Sequence, residues 1–209
     1  MKNIRLLLLF SLLTTSCSTY HLHLKNGDLI FVGASENSLS GAIDRVTQTN
    51  EETHFSHVAL LEKEGKNWWI LHAGTHNGSE RIPLDTFLTQ QNQDSSLFVG
   101  YRLKSAFQKS IPNAILTAKK WLGKPYNYSY ILSDEKLYCS DFVQRSFAKD
   151  SIFSLQPMTF INPKTGKTDD VWQQFYDRQH LEVPEGLPGC NPNGLAASEK
   201  LRKIGILKP

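Results

Sequence analysis

Cys139 stands in the segment Tyr138-Cys139-Ser140-Asp141, and two histidines, His57 and His72, precede it in the chain. A cysteine attacks as its thiolate, and a free thiol titrates near ~8.5. It therefore needs a base or nearby positive charge to react at neutral pH. Histidine supplies the base, and a second polar side chain can orient the imidazole. These residue types suit attack of sulfur on a carbonyl carbon, followed by acyl transfer to water. Each also has an ordinary reading. A cysteine on an apolar helix face is often an inert core residue, and a strand histidine can be a satisfied core group.

The elements that carry these residues can be read from their spacing. Residues 139–149 predict a helix, because Phe142, Val143 and Phe147 follow Cys139 at helical intervals and share its buried face. Cys139 then opens that helix, where free main-chain N–H groups carry partial positive charge. Such groups stabilise a thiolate and cradle the oxyanion of a tetrahedral intermediate. A neighbouring histidine can form a thiolate–imidazolium pair with the cysteine. Tyr138, just before the cysteine, is placed to close a pocket or donate a hydrogen bond.

Residues 56–62 and 67–73 predict two strands, joined through the polar turn 63–66. Pairing Leu61 with Trp68 sets His57 directly opposite His72, with Cβ atoms about 4.5–5.5 Å apart on one face. A slip of one residue would place them on opposite faces. Leu29-Ile30-Phe31-Val32 reads as a buried strand after the turn Lys25-Asn26-Gly27-Asp28, and residues 97–103 as another strand. Helices are expected near 41–47, over 113–122 with Gly123 closing it, and near 169–178. Trp68 and Trp69 read as sheet-packing residues. The tail Leu187-Pro188-Gly189-Cys190-Asn191-Pro192 is a poor candidate for regular structure. Sheet precedes cysteine helix, an α+β pattern.

The ordered set Asn26-Gly27-Asp28-Leu29-Ile30-Phe31, Phe55-Ser56-His57-Val58-Ala59-Leu60, Ile70-Leu71-His72-Ala73, Gly123-Lys124-Pro125-Tyr126 and Tyr138-Cys139-Ser140-Asp141-Phe142-Val143 resembles the circularly permuted branch of the NlpC/P60 papain-like superfamily, specifically its YiiX-like hydrolases. The resemblance implies a permuted papain-like fold, with an antiparallel sheet or small barrel ahead of the cysteine helix. It implies Cys139 as nucleophile and His57 as base. The third position often carries Glu before an Ala in this branch; here His72 precedes Ala73. The resemblance also implies amide-bond cleavage, with cell-wall peptides as the default substrate class. Related permuted proteins act on lipid acyl groups with the same chemistry, which is the alternative enzyme reading. A non-catalytic ligand-binding or disulfide-stapled module is a third.

The N-terminus predicts export. Lys2 and Arg5 precede the apolar run 6–13, and Thr14-Thr15-Ser16 leads to Cys17. That run is too short to span a bilayer and fits a signal peptide over residues 1–16. Cys17 after small residues resembles a lipobox, so it is expected to be lipidated and to become the mature N-terminus. The hydrolase domain would then occupy residues 20–209. Ser18 resembles the sorting preference for the outer membrane, which places the protein there, facing the periplasm. The chain has three cysteines, so with Cys17 lipidated, Cys139 and Cys190 are either bridged or free.

Composition excludes other classes. Without Lys2 and Arg5, the 23 basic residues fall to 21 against 20 acidic ones. They are scattered, so no nucleic-acid partner is implied. His76 with His57, His72 and Cys139 would be a conceivable zinc set, but no close-spaced ligand motif supports it, and neither metal nor cofactor is expected. No oligomeric state is implied.

Overall fold

The computed structural model describes residues 23–35, 39–49, 53–92 and 97–207. Cys17 and the signal segment lie outside the described residues. In chain order the elements are β1 (Leu29–Gly33), α1 (Leu39–Thr47), β2 (Phe55–Glu64), β3 (Asn67–Gly74), β4 (Gly78–Pro83), α2 (Leu84–Gln91), β5 (Phe98–Leu103), α3 (Ile111–Lys120) and α4 (Cys139–Ser146). Then follow β6 (Gln156–Pro157), β7 (Ile161–Asn162), β8 (Lys167–Thr168), α5 (Asp170–Asp177), β9 (Pro188–Gly189), α6 (Pro192–Ala196) and β10 (Leu201–Leu207).

A six-stranded sheet runs in the order β10-β5-β1-β2-β3-β4, and its pairings are antiparallel. Both faces are covered. Leu29 and Phe31, Val58 and Leu60, Leu71 and Ala73 face the larger core, which includes Phe142 and Val143 of α4. Ile30, Val32, Ala59, Leu61 and Ile70 face the smaller core under α2, with Leu84, Phe87 and Leu88. This explains why β1 is a continuous apolar run: side chains alternate across a sheet that is dry on both sides. Trp68 packs against the smaller core, and the Arg81 guanidinium lies 3.9 Å above the Trp69 ring.

The hairpin differs from expectation in register. Leu61 pairs with Ile70, not Trp68, and Glu64 pairs with Asn67. The connection is the two residues Gly65-Lys66, with Gly65 at φ +60°. A Gly-first, two-residue loop matches the twist of paired strands better than the longer turn expected. The register moves by two residues. Since the side-chain period is two, the faces are preserved. His57 and His72 therefore share a face as diagonal neighbours rather than direct partners.

The cysteine helix is shorter than expected. It spans Cys139–Ser146, and a 3-10 turn follows at Ala148–Asp150. Segment 187–192 contains only the two-residue strand β9 and the start of α6; beyond it, α6 and the edge strand β10, which pairs along β5, were not foreseen. Buried Asn193 of α6 explains its hold: its side chain accepts from Phe55 N–H at 2.8 Å and donates to Asp44 at 3.1 Å and Thr47 at 3.0 Å. One amide thereby ties β2, α1 and α6 together.

Candidate active site

Two local devices shape the strand that carries His57. Val32 pairs with His57, but the next residue, Gly33, pairs with Phe55. Ser56 is thus the extra residue of a β-bulge, a feature that redirects side chains at a strand end. Phe55 joins Phe31 in the larger core at a ring separation of 5.1 Å. His57 instead turns toward α2, its ring 5.9 Å from Phe87.

The imidazoles meet there. His57 Nε2 lies 3.1 Å from His72 Nδ1, and the rings are nearly perpendicular. The sequence-expected partnership of His57 and His72 is present, through the diagonal. Burial, and then the neighbouring His72, hold His57 well below the ordinary imidazole pKa. Burial lowers His72 to about 4. Both rings are neutral near pH 7.

The cysteine is positioned from the other side. Gly123-Lys124-Pro125-Tyr126 docks on β4: Ser79 N–H donates to the Lys124 carbonyl, and Gly123 N–H to the Ser79 carbonyl, each at 2.8 Å. Gly78, at φ +71°, makes the approach possible, because a Cβ there would run into the Lys124 carbonyl. The same segment pairs with the residues before the cysteine, Leu137 N–H donating to the Pro125 carbonyl at 3.0 Å. Tyr138 then caps α4 in extended conformation with no side-chain cap bond, and Cys139 opens the helix. The first helical N–H groups are left without a capping side chain, as oxyanion binding requires.

Cys139 is buried, and its sulfur faces the main-chain N–H of Val58, the residue after His57. The sulfur thus meets the main chain of β2 beside His57, whereas the His57 ring is directed toward Phe87 of α2. The thiol's stabilising partners are main-chain N–H groups and Ser140, and His57 is not among them. His57 Nε2 is engaged by His72, which leaves Nδ1 as its other ring nitrogen.

The buried setting favours the neutral thiol over a thiolate–imidazolium pair. Burial pushes the Cys139 thiol up to about 11, outweighing the N–H groups of Val58, Ser140 and Cys139 itself. With the thiol shifted up and His57 shifted down, both groups favour their neutral forms.

Tyr138 closes the site from behind. Its ring is buried, and its hydroxyl accepts from Cys190 N–H at 3.2 Å. Ser140 Oγ donates to the Cys190 carbonyl at 3.0 Å. The tail is thereby strapped across the start of α4. Cys139 and Cys190 are both free thiols, so the bridged alternative is not realised. Asp141 is fully buried and accepts from Arg145 Nε at 2.7 Å. That bond makes it a brace for α4. Burial still raises its carboxyl to about 6.

Two cavities meet at Ser56. One, of about 50 Å³, reaches Cys139 and is lined by Tyr126, Tyr130, Tyr138, Met158, Phe160 and Trp172 among others, with no charged side chain. The other, of about 560 Å³, is polar and includes His72, His76, Asn77 and Glu80. His76 is an exposed loop residue, and among the described residues no group of three or more His, Cys, Asp or Glu is placed to hold a metal ion. Glu80 and Asn193 were not singled out by sequence reasoning. Glu80 sits in a strand with no apolar alternation, and Asn193 in a Pro/Gly-rich tail, so neither has a local signal.

Comparison with known proteins agrees with this architecture. The model of the permuted papain-like amidase enzymes, YaeF/YiiX, C92 family, matches residues 23–205. The uncharacterized protein YiiX of Escherichia coli strain K12 is 31% identical over 148 residues, 70% of this chain and 67% of that protein. The crystal structure of the metalloprotein YiiX from Escherichia coli O157:H7 aligns with a TM-score of 0.69 at 22% identity, covering 88% of this chain and 98% of that one. The family name is distinct from NlpC/P60, which corrects that part of the motif-based expectation. Among the described residues no helix is long and apolar enough to cross a membrane. On its fold and the match over residues 23–205, the chain belongs to the permuted papain-like amidase family YaeF/YiiX, C92, and is a cysteine hydrolase of the peptidase/amidase kind.

Proposed function

We propose that this protein cleaves an amide bond through Cys139 as nucleophile, His57 as base and His72 as orienter. The observation that carries the reading is Cys139 at the uncapped start of α4, its sulfur against the main chain next to His57. His57 Nδ1 takes the thiol proton as sulfur bonds to the carbonyl carbon. Main-chain N–H groups at the start of α4 hold the oxyanion. The intermediate collapses, the C–N bond breaks, and His57 returns the proton to the leaving amine. Water, deprotonated by His57, then releases the acid and restores the thiol. Tyr138 supports this site by walling the cleft, its hydroxyl engaged with Cys190.

By analogy with the wider superfamily, the substrate class is a cell-wall peptide or related amide. The uncharged aromatic cleft beside Cys139 favours a second reading, in which the acyl group is apolar and the substrate a lipid. We further propose that Cys17 is lipidated and anchors the enzyme in the outer membrane, facing the periplasm.

Mass spectrometry of products from cell-wall fragments and from phospholipids, run side by side, tests both substrate readings. Wild type should release product from one class and Cys139→Ala from neither. Activity retained by Cys139→Ala would refute the nucleophile. Fatty-acid labelling lost in Cys17→Ala tests the anchor, and no label on wild type would rule it out.

A further inference from the structure

The two imidazoles are neutral, so each carries one N–H, and the 3.1 Å contact between them needs one donor and one acceptor. Only two arrangements exist. If His72 donates from Nδ1, His57 accepts at Nε2 and holds its proton on Nδ1. That nitrogen then has no lone pair for the Cys139 proton. If His57 donates from Nε2, its Nδ1 is a free base, and His72 must carry its proton on Nε2. Whatever faces His72 Nε2 therefore decides whether His57 can act.

Glu80 faces it. The β3–β4 register pairs His72 with Glu80, and Oε1 lies 3.4 Å from His72 Nε2. That nitrogen is buried and has no aligned hydrogen-bond partner in the resting structure. Beside a carboxylate, a buried N–H gains a charge-assisted bond after a small rotation, whereas a lone pair is repelled. The carboxylate is itself held: Asn77 Nδ2 donates to Oε2 at 3.0 Å. Its side chain is 20% exposed, on the edge of the polar cavity.

We propose that Glu80 is a positioning residue whose carboxylate fixes the Nε2–H tautomer of His72, which fixes the Nε2–H tautomer of His57 and leaves His57 Nδ1 as the base. The proposal rests on the reading of Cys139 and His57 as nucleophile and base, and it extends the positioning set by one strand. The signal is tertiary: Glu80 reaches the site only through pairing of β3 with β4.

Long-range proton–nitrogen correlation spectra of histidine-labelled full-length protein at neutral pH read the tautomers directly. In wild type, both His57 and His72 should be protonated at Nε2. Glu80→Leu should lose that preference, and Glu80→Gln, whose carbonyl can still accept, should keep part of it. With whichever substrate proves active, Glu80→Leu should lower kcat about ten- to a hundredfold with KM little changed, and Glu80→Gln less. Thermal unfolding of the isosteric Gln variant controls for folding. A wild-type His72 protonated at Nδ1, or tautomers unaltered in folded Glu80→Leu, would overturn the proposal. Activity surviving in Cys139→Ala would instead overturn the nucleophile reading, and the tautomer spectra would be untouched by it.

Discussion

At the scale of single residues, the site is a set of groups whose charged forms burial disfavours. Cys139 held near 11 leaves about one part in ten thousand as thiolate at pH 7. Alkylation of Cys139 by iodoacetamide in the folded protein should be slow at neutral pH and rise about tenfold per pH unit up to pH ~10. Mass spectrometry of the Cys139 peptide against pH measures it, and a plateau below pH 8 would contradict the neutral pair. His72 makes a second prediction. Its folded pKa, about 4, lies below the ordinary 6.5. Between those values the unfolded chain binds the extra proton, so stability rises with pH. Acidifying from about pH 6.5 to 4 should therefore cost the fold about 3 kcal/mol through this ring. His72→Gln should lose that slope in urea unfolding series, and an identical pH dependence in both proteins would refute the assignment. Asp141, raised to about 6, acts oppositely over a similar window, so the comparison with the variant is needed rather than the wild-type curve alone.

At the scale of elements, the motif residues around the site are mostly braces. Asp28 of the Asn26-Gly27-Asp28 turn is buried and forms a bidentate pair with Arg102 of β5, both bonds 2.7 Å. Gly27, at φ +84°, is pressed against Ile111. Gly78 admits the Lys124 carbonyl and so sets the loop that delivers Tyr138 and Cys139. Gly78→Ala adds a clash to an unfavourable φ and should cost about 2–3 kcal/mol, with loss of activity in whatever remains folded. Thermal and urea unfolding check the first part. A variant as stable as wild type would show that the loop docks without this close approach. The spacing of Phe142, Val143 and Phe147 revealed the cysteine helix because one helix face is apolar. The β3–β4 hairpin and α2 were not foreseen, since Gly-Ser-Glu-Arg-Ile-Pro carries no alternation that marks a strand.

At the scale of the whole molecule, the C-terminal segment closes the site. The tail packs Leu195, Leu201 and Leu207 into the cores and supplies Asn193 and the Cys190 main chain to β2 and α4. Burying the three leucines alone is worth about 1.5–3 kcal/mol each, a large part of the ~5–15 kcal/mol that holds a typical domain. A chain ending at residue 187 should show no cooperative unfolding transition in calorimetry. A sharp transition near the wild-type temperature would mean the tail is an accessory rather than part of the domain.

By itself the sequence determined the chemistry available and the order of the parts: Cys139 opening a helix, His57 and His72 on adjoining strands, sheet before helix. Local spacing suffices for these, because helical and strand periodicities are properties of neighbouring residues. Only the tertiary structure decided the rest. Strand register, shifted by two, made the histidines diagonal partners, and register depends on a whole hairpin and its turn. Glu80, Asn193 and the Cys190 main chain come from segments distant in sequence or without periodic pattern. Burial, which no spacing reports, pushes the thiol toward its neutral form, because desolvation outweighs the main-chain N–H groups that face it.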